Sequence, residues 1–219
     1  MSTEHYKLYS YWRSSASWRV RWALAHKGIA FDKVIVNLLK SEQRADEHRG
    51  RNPIGHVPAL EVAAGRFLAE SVAIIEWLEE THPEPRLYPT DPWAKARVRQ
   101  VVELVNAGIQ PLQNLVVLDK VSSDPEAKKA WAHDFNLRGI SALEALLRAI
   151  DQELGEGRFA VGDALTAADL FVVPQVYSAR RFGVDLSPFA RVLRAEASAL
   201  ATPHAEGAKP ESQPDAPKA

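Results

Sequence analysis

A proline-dense segment constrains this fold more than any other feature of the sequence. Residues 81–92 contain four prolines, too many for a helix interior or a central strand. Strand-like and helix-like patterns alternate before the segment, whereas long helical periodicity dominates after it. The sequence therefore predicts an α/β domain over residues 1–81, a linker over 82–92 and an all-helical domain over 93–202. The remaining residues, 203–219, are rich in Pro, Glu, Ser, Lys and Ala and are expected to be poorly ordered.

The first domain has the element order of a thioredoxin-like fold. The predicted elements are, in order, a strand over 7–11, a helix over 15–27, a strand over 31–36, a hairpin of 58–62 with 66–69, and a helix with Ser71 as its N-cap. The first three form a βαβ unit, which implies parallel strands and a right-handed crossover. A ββα unit completes the predicted βαβ-ββα arrangement.

The second domain is predicted to contain three long helices, over about 93–120, 125–154 and 166–182. Pro111 lies inside the first and is expected to kink it. Thr166 and Asp169 have the spacing of a capping box, in which a carboxylate returns to the cap amide. We interpret this pair as a folding device rather than a catalytic one.

Composition excludes several classes of function. The chain has no cysteine, so it has no disulfide, thiolate metal site or cysteine nucleophile, and sulfur chemistry would need a thiol from a bound small molecule. The 27 basic and 28 acidic residues nearly cancel, so no global field favours nucleic acid or a membrane. The histidines show no metal-ligand spacing, and no metal is expected. The polar residues Met1–His5 suggest no secretory signal, and no run is long enough to span a bilayer, so a cytoplasmic location is expected.

The junction between the first strand and the first helix is a candidate anion site. Ser14 and Ser15 lie there, beside the backbone amides and positive end of the helix. A thiolate at this position would be stabilised relative to its thiol, and a serine hydroxyl could add a charge-assisted hydrogen bond. Spacing alone leaves open the alternative that these serines only cap the helix.

Two further segments point to a tripeptide ligand. Pro58 is expected to follow a cis peptide bond, which would turn the Val57 backbone outward to pair with an extended peptide. Glu70 and Ser71 follow at the next helix start, where the hydroxyl and amides suit a carboxylate and Glu70 suits an ammonium group. A γ-glutamyl group carries both. A thiolate cradle, a peptide-pairing edge and an amino-acid clamp together describe glutathione.

These residues carry a family resemblance. Residues 14–21, Ser-Ser-Ala-Ser-Trp-Arg-Val-Arg, resemble the Ser-Ser-Cys-Ser-Trp-Arg-Val-Arg signature of the zeta class of glutathione transferases, which includes maleylacetoacetate isomerases. Residues 52–60 are similar to its Asn-Pro-x-x-x-Val-Pro-x-Leu segment. Residues 70–80, 108–115, 173–176 and 213–217 also resemble the class, so the likeness covers nearly the whole chain.

The resemblance implies a glutathione transferase fold and a set of site residues. By resemblance, Ser14 assists the glutathione thiolate with Ser15 beside it, Gln43, Val57, Pro58, Glu70 and Ser71 hold the tripeptide, and Gln110 and Asn114 line the cleft. Arg181 matches an arginine near the substrate carboxylate. Arg13 and Arg19 are further candidate anion partners, although for Arg19 and Arg21 a solvated or structural ion pair ranks at least level with substrate contact.

The sequence departs from the class at two positions. Ala16 replaces the signature cysteine, which is not required to supply the attacking sulfur, although its loss could alter substrate fit or thiolate stabilisation. Glu70 stands where many members have glutamine, and its negative charge is compatible with an ammonium group.

The implied activity is cis–trans isomerisation of maleylacetoacetate, a dicarboxylate, in tyrosine and phenylalanine degradation. Thiolate addition, rotation about the resulting single bond and elimination would complete the reaction. A homodimer is also implied. Maleylpyruvate isomerisation, transfer to α-halo acids, and a non-catalytic interaction module with the same fold are the alternatives.

Overall fold

A four-stranded mixed sheet organises the first part of the chain. The computed structural model describes residues 6–217, so residues 1–5, which entered the prediction about a signal, and residues 218–219 lie outside it. The described residues divide into two units, one built from residues 6–86 and 203–217 and the other from Leu87–Thr202. The strands of the first unit are β1 (Tyr6–Ser10), β2 (Phe31–Ile35), β3 (Ala59–Ala63) and β4 (Arg66–Ala69).

The strands lie in the order β2-β1-β3-β4. β1 and β2 are parallel, whereas β3 is antiparallel to both β1 and β4. Two helices, α1 (Ser15–His26) and α3 (Ser71–Thr81), pack on each other, and a short helix, α2 (Asp46–Arg49), follows two 3-10 turns at Leu38–Lys40 and Glu42–Arg44. This topology confirms the predicted thioredoxin-like βαβ-ββα arrangement.

The two faces of the sheet are buried against different partners. Tyr6 of β1 contacts the Trp77 ring of α3 edge-on, at 5.9 Å between centroids. Tyr9 has the opposite side-chain direction, and it joins a separate apolar cluster that includes Tyr11 and Val57. This apolar cluster therefore includes the residue that is predicted to pair with a peptide ligand, Val57.

Lys27 fixes the end of the first unit. Its ammonium group donates to Glu79 Oε2 at 2.8 Å, to the His82 carbonyl at 2.6 Å and to the Pro85 carbonyl at 3.0 Å. The lysine is the C-cap residue of α1, and Gly28 follows with a φ of 67°, as is common after a helix. One side chain thus ties the end of α1 to α3 and to the segment that leaves it.

The second unit is helical. Its helices are α4 (Pro92–Gly108), α5 (Leu115–Val121), α6 (Pro125–Leu154), α7 (Ala167–Arg181) and α8 (Ala190–Leu200), with a 3-10 turn at Gln110–Gln113. The prediction of one kinked helix over 93–120 was wrong. α4 ends at Gly108, and Asn114 caps a separate helix, because Pro111 cannot donate the backbone hydrogen bond that a continuous helix needs.

The capping box at the start of α7 is present as predicted. Asp169 Oδ2 accepts from the Thr166 amide at 2.9 Å and from the Thr166 hydroxyl at 3.1 Å. Its other oxygen accepts from the Ala160 amide at 2.7 Å. The carboxyl group is fully buried, which supports the interpretation of this pair as a folding device.

The C-terminal segment, residues 203–217, folds against α1. It contains a short helix, α9 (Ala205–Ala208), and a 3-10 turn at Pro210–Ser212. Ala205 and Ala208 are buried, and the Gln213 amide group donates to the Gly207 and Lys209 carbonyls. The expectation of poor order came from composition, which does not register that two alanines are buried and that one glutamine side chain donates to two backbone carbonyls.

No single helix within residues 6–217 has the length and apolar character to cross a bilayer. Two consecutive segments bent by 49° relative to each other, Pro92–Gln113 and Leu115–Val121, are together long and apolar enough for a span when judged by length and composition only.

Candidate active site

The strand register brings three predicted contributors to one end of the sheet. Tyr9 near the end of β1 pairs with Ala59 at the start of β3, and Ala59 pairs with Ala69 at the end of β4. Ser14 follows β1, Val57 precedes β3, and Glu70 follows β4 directly. The antiparallel pairing therefore places the candidate thiolate cradle, the peptide-pairing segment and the amino-acid clamp at the same end of the sheet.

Ser14 caps α1 and keeps a proton to donate. Its hydroxyl oxygen accepts from the Ser17 amide at 3.2 Å, and its own amide donates to the Tyr11 carbonyl at 3.1 Å. A hydroxyl has one donor and two acceptor positions, so the cap uses one acceptor and leaves the donor. Capping and anion binding are therefore compatible at Ser14. Ser15 is the first residue of α1, and both serines are partly exposed.

The segment before β3 has the cis peptide bond predicted at Val57-Pro58. The Val57 side chain is buried in the apolar cluster with Tyr9 and Tyr11. Within residues 6–217, neither the Val57 amide nor its carbonyl has a hydrogen-bond partner. A buried side chain with an unpaired backbone suits the addition of an extended peptide.

A network of polar contacts shapes the turn that leads to Val57. The His56 carbonyl accepts from His48 Nε2 at 2.8 Å and from Asn52 Nδ2 at 3.0 Å. Gly55 has a φ of 69°, and a Cβ there would lie 2.9 Å from the Gln43 carbonyl oxygen. Glycine is therefore required by conformation and by space, and the close approach brings Gln43 to this turn.

Gln43 supplies an observation that fits a polar ligand. Its side-chain oxygen is buried and has no hydrogen-bond partner among the residues the structure describes. An unpaired buried acceptor costs free energy, and a ligand N–H group would satisfy it. The amino and amide groups of glutathione are donors of this kind.

The start of α3 differs from the prediction in one respect. Ser71 is the first residue of the helix, and Glu70 is the N-cap, so the assignment of Ser71 as N-cap was wrong. Glu70 is exposed and has a φ of 67°, which is strained for a residue with a Cβ. Such strain is concentrated at ligand-binding sites, and Glu70 directly precedes the first residue of α3.

Arg19 contacts this helix start rather than standing free. It is buried, and its guanidinium donates from Nη1 to Ser71 Oγ at 3.2 Å. The contact joins α1 to α3 behind the proposed clamp. Burial and this hydrogen bond favour a structural role for Arg19 over contact with a substrate. Arg13 is half-buried, with its guanidinium 5.2 Å from the centre of the Trp12 ring.

The remaining predicted residues lie in the second unit. Gln110 begins the 3-10 turn, and Asn114 caps α5 by accepting from the Val116 amide at 3.3 Å. Arg181 is exposed at the end of α7, with its guanidinium 5.0 Å from the centre of the Phe182 ring.

Sequence reasoning missed the buried amides that support this turn. Gln113, between Gln110 and Asn114, donates to Gln175 Oε1 at 3.1 Å and accepts from Asn136 Nδ2 at 2.5 Å. Gln175 in turn donates to Asn136 Oδ1 at 2.6 Å. The sequence signal that could have identified these residues is a polar amide side chain at a position where the helical pattern predicts an apolar one.

No group of three or more His, Asp or Glu side chains among the described residues could hold a metal ion.

Comparisons with known proteins agree with this geometry. Residues 4–80 match the family model for the glutathione S-transferase N-terminal domain, and residues 92–202 match that for the C-terminal domain. A probable maleylacetoacetate isomerase 2 of Drosophila melanogaster is 46% identical over 96% of this chain and 90% of that protein.

Two solved structures are similar over nearly the full chain. A maleylacetoacetate isomerase from Anaeromyxobacter dehalogenans, with dicarboxyethyl glutathione and citrate in its active site, has a TM-score of 0.88 and 46% identity, covering 99% of this chain and 96% of that one. A bacterial zeta-class maleylpyruvate isomerase has a TM-score of 0.91 and 40% identity, covering 96% and 100%. The predicted glutathione transferase fold is confirmed, and the chain belongs to the glutathione S-transferase family, in the zeta class that includes the maleylacetoacetate isomerases.

Proposed function

We propose that this protein is a glutathione-dependent isomerase that converts maleylacetoacetate to fumarylacetoacetate in tyrosine and phenylalanine degradation. The observation that carries the proposal is the strand register, which brings the β1–α1 junction, the cis Val57-Pro58 edge and the start of α3 to one end of the sheet. The relatives named maleylacetoacetate isomerase support the choice of substrate.

Glutathione would supply a thiolate that adds to the double bond and is later eliminated, so that the bond can rotate between the two steps. The Ser14 hydroxyl donates a hydrogen bond to that sulfur, and the amides at the start of α1, beside Ser15, add their positive potential. Both effects favour the ionised sulfur at neutral pH.

The rest of the first unit would hold the tripeptide. The Val57 backbone, turned by the cis bond to Pro58, pairs with the extended ligand, and the Gln43 side-chain oxygen accepts one of its N–H groups. The amides and hydroxyl at Ser71 bind the γ-glutamyl carboxylate, while Glu70 binds its ammonium group. Arg19 acts behind this clamp by holding Ser71.

The substrate end carries the remaining assignments. The substrate is a dicarboxylate, and arginine binds carboxylates in bidentate fashion. We assign Arg181 and Arg13 as its anion partners, with Gln110 and Asn114 lining the cleft. Assembly as a homodimer and a cytoplasmic location complete the proposal.

The test is maleylacetoacetate turnover with and without glutathione, in wild type and in Ser14→Ala. Turnover should require glutathione, and Ser14→Ala should lower kcat about 10- to 100-fold, the range of a lost hydrogen bond to a charged group. Equal rates without glutathione, or full activity of the variant, would overturn the proposal.

Two further variants separate the cap from the chemistry. Ser14→Gly also removes the hydroxyl, but glycine costs only a few tenths of a kcal/mol at an N-cap, so its kcat should fall as far as that of Ser14→Ala. Asp91→Ala removes the cap of α4, where Asp91 accepts from the Ala94 amide. It should lower stability by about 1 kcal/mol and leave kcat unchanged.

The similarity to a maleylpyruvate isomerase supports a second candidate substrate. The ratio of kcat/KM for maleylacetoacetate and maleylpyruvate decides between them. A wild-type protein that binds no glutathione in calorimetry would instead indicate a non-catalytic interaction module.

A further inference from the structure

The C-terminal segment reaches the loop that carries the proposed nucleophile site. The Trp12 amide donates to Asp215 Oδ2 at 2.9 Å, although 203 positions separate the two residues. Trp12 lies two positions before Ser14. A residue at the far end of the sequence therefore contacts the backbone of the β1–α1 loop.

Arg21 holds the same stretch of loop from inside. Its guanidinium donates to the Tyr11 carbonyl at 3.3 Å, to the Trp12 carbonyl at 3.0 Å and to the Ala208 carbonyl at 3.2 Å. Burial lowers the pKa of Arg21 to about 10, and the nearby Asp215 charge opposes that shift, so Arg21 stays cationic at neutral pH. One cation thus links the loop to the C-terminal segment.

The segment is itself anchored close to Asp215. Gln213 accepts from Lys33 Nζ at 2.8 Å and donates to the Gly207 and Lys209 carbonyls at 3.0 and 2.7 Å. A turn follows, in which the Ala216 amide donates to the Gln213 carbonyl at 3.1 Å. The carboxylate that meets Trp12 is therefore held from both sides along the chain.

These contacts fix the orientation of Ser14. The Ser14 amide donates to the Tyr11 carbonyl, so the loop from Tyr11 to Ser14 is a closed turn. Asp215 and Arg21 together take the Trp12 amide and both carbonyls of the Tyr11-Trp12 pair. The turn then has little freedom to move the Ser14 hydroxyl.

We infer that Asp215 is a positioning residue, which holds the Trp12 amide so that Ser14 faces the glutathione sulfur. The inference rests on the proposed function, and it assigns the C-terminal segment a role in activity.

Positioning and through-space charge predict opposite shifts in the thiol of bound glutathione. Removing a negative charge near a thiol lowers its pKa, because the thiolate is then less repelled. Losing the Ser14 hydrogen bond raises its pKa, because that bond favours the charged form. Asp215→Ala should therefore raise the thiol pKa if Asp215 positions the loop.

The experiment measures kcat with maleylacetoacetate and the ultraviolet absorbance of the bound thiolate against pH, in wild type, Asp215→Ala, Asp215→Asn and Ser212→Ala. We expect Asp215→Ala to lower kcat about 10-fold, the effect of one hydrogen bond to a charged group, and to raise the thiol pKa. Asp215→Asn keeps an oxygen for the Trp12 amide and should stay within about threefold of wild type. Ser212→Ala changes an exposed side chain of the same segment and should match wild type.

The two proposals fail in different ways. Wild-type protein that binds no glutathione defeats the proposed function. Wild-type protein with a titrating bound thiolate, together with Asp215→Ala of unchanged or lowered thiol pKa, overturns the positioning role. An Asp215→Asn variant as impaired as Asp215→Ala also overturns it, because the charge would then matter rather than the hydrogen bond. Asp215→Asn preserves the contact, so it keeps the test valid if Asp215→Ala does not fold.

Discussion

At Asp169, burial and hydrogen bonding act in opposite directions on one carboxyl group. Burial raises its pKa from 3.8 to about 6, although the Ala160 and Thr166 donors favour the charged form. The folded protein therefore holds this proton more tightly than the unfolded chain does. Its stabilising contribution is present below about pH 4 and is lost as the pH rises through about 6.

Asp169→Asn should be less stable than wild type, because an amide NH2 would face a backbone N–H in place of an acceptor. The neutral side chain does not titrate, so the wild-type advantage should shrink between about pH 4.5 and about pH 7. Urea unfolding at both pH values measures it. Asp163→Asn, at an exposed aspartate, serves as the control. An advantage that grows with pH would contradict the raised pKa.

Ala16 lies in the first turn of α1 and is partly buried. It occupies the position of the cysteine in the zeta signature. The chain lacks any cysteine, so every sulfur nucleophile in the proposed reaction comes from the ligand. Ser14 and the start of α1 are in place without that thiol, which agrees with a cysteine that is dispensable for the attack.

The elements with strong local signals were predictable from sequence. Glycine at a hairpin turn predicted β3 and β4, whereas the cis bond at Val57-Pro58 was expected from the thioredoxin-like element order. The positive φ of Glu70 was not predictable, because no glycine marks it and only the surrounding fold imposes it. Helix α8 was missed, and its start is capped from a distant element.

That cap explains why local sequence failed at α8. Glu144 of α6 accepts from the Val192 amide at 2.9 Å and from the Arg191 amide at 3.3 Å. A carboxylate from another helix thus replaces the local cap residue that sequence rules look for. The same holds for the site, where strand register, not motif spacing, brings the Ser14 loop and Glu70 to one end of the sheet.

A closed ring of side-chain amides connects three elements of the second unit. Gln113, Gln175 and Asn136 each donate to the next, and Ser178 also donates to Gln113 Oε1 at 2.9 Å. The ring joins the 3-10 turn to α6 and α7. It therefore holds the turn between Gln110 and Asn114.

Gln113→Leu should destabilise the protein by about 2–4 kcal/mol, because it leaves buried donors of Asn136 and Ser178 without their acceptor. Urea unfolding measures the loss. Gln175→Leu should behave alike, and the double variant should lose less than the sum, since both residues serve one network. Ser141→Ala, on the exposed face of α6, is the control. Strict additivity would contradict a shared ring.

The nearly equal numbers of basic and acidic residues do not show which arginines are buried and bonded within the protein. Arg19, Arg21 and Arg191 are each at most 4% exposed, and each donates to protein atoms. Composition excluded a global field, but it could not separate structural arginines from those available to a substrate. Burial separates these three arginines from the half-buried Arg13 and the exposed Arg181, the two that the proposed function assigns to the dicarboxylate.

Lys27, like these buried arginines, is a buried cation that donates to protein atoms, and it lies near the end of the first unit. Its three acceptors lie on α3 and on the proline-rich segment after it, and its side chain is fully buried. Removing one partner of a fully buried pair costs about 3–5 kcal/mol, and we expect the lower end of that range because the Glu79 side chain is 14% exposed. The segment around His82 and Pro85 then loses its anchor as well.

Lys27→Met should therefore both lower the free energy of unfolding by about 3 kcal/mol and expose the segment to trypsin. Arg86 is exposed, whereas Leu87 beside it is fully buried, so cleavage between them requires local opening. Mass spectrometry should then detect fragments 1–86 and 87–219 from the variant well before they form from wild type. Lys129→Met, at an exposed lysine of α6, should be cleaved as slowly as wild type. A Lys27→Met variant that is destabilised but resists cleavage at Arg86 would contradict this prediction. Lys27 would then stabilise the first unit without anchoring the segment that follows α3, because cleavage at Arg86 measures local opening of that segment rather than global unfolding.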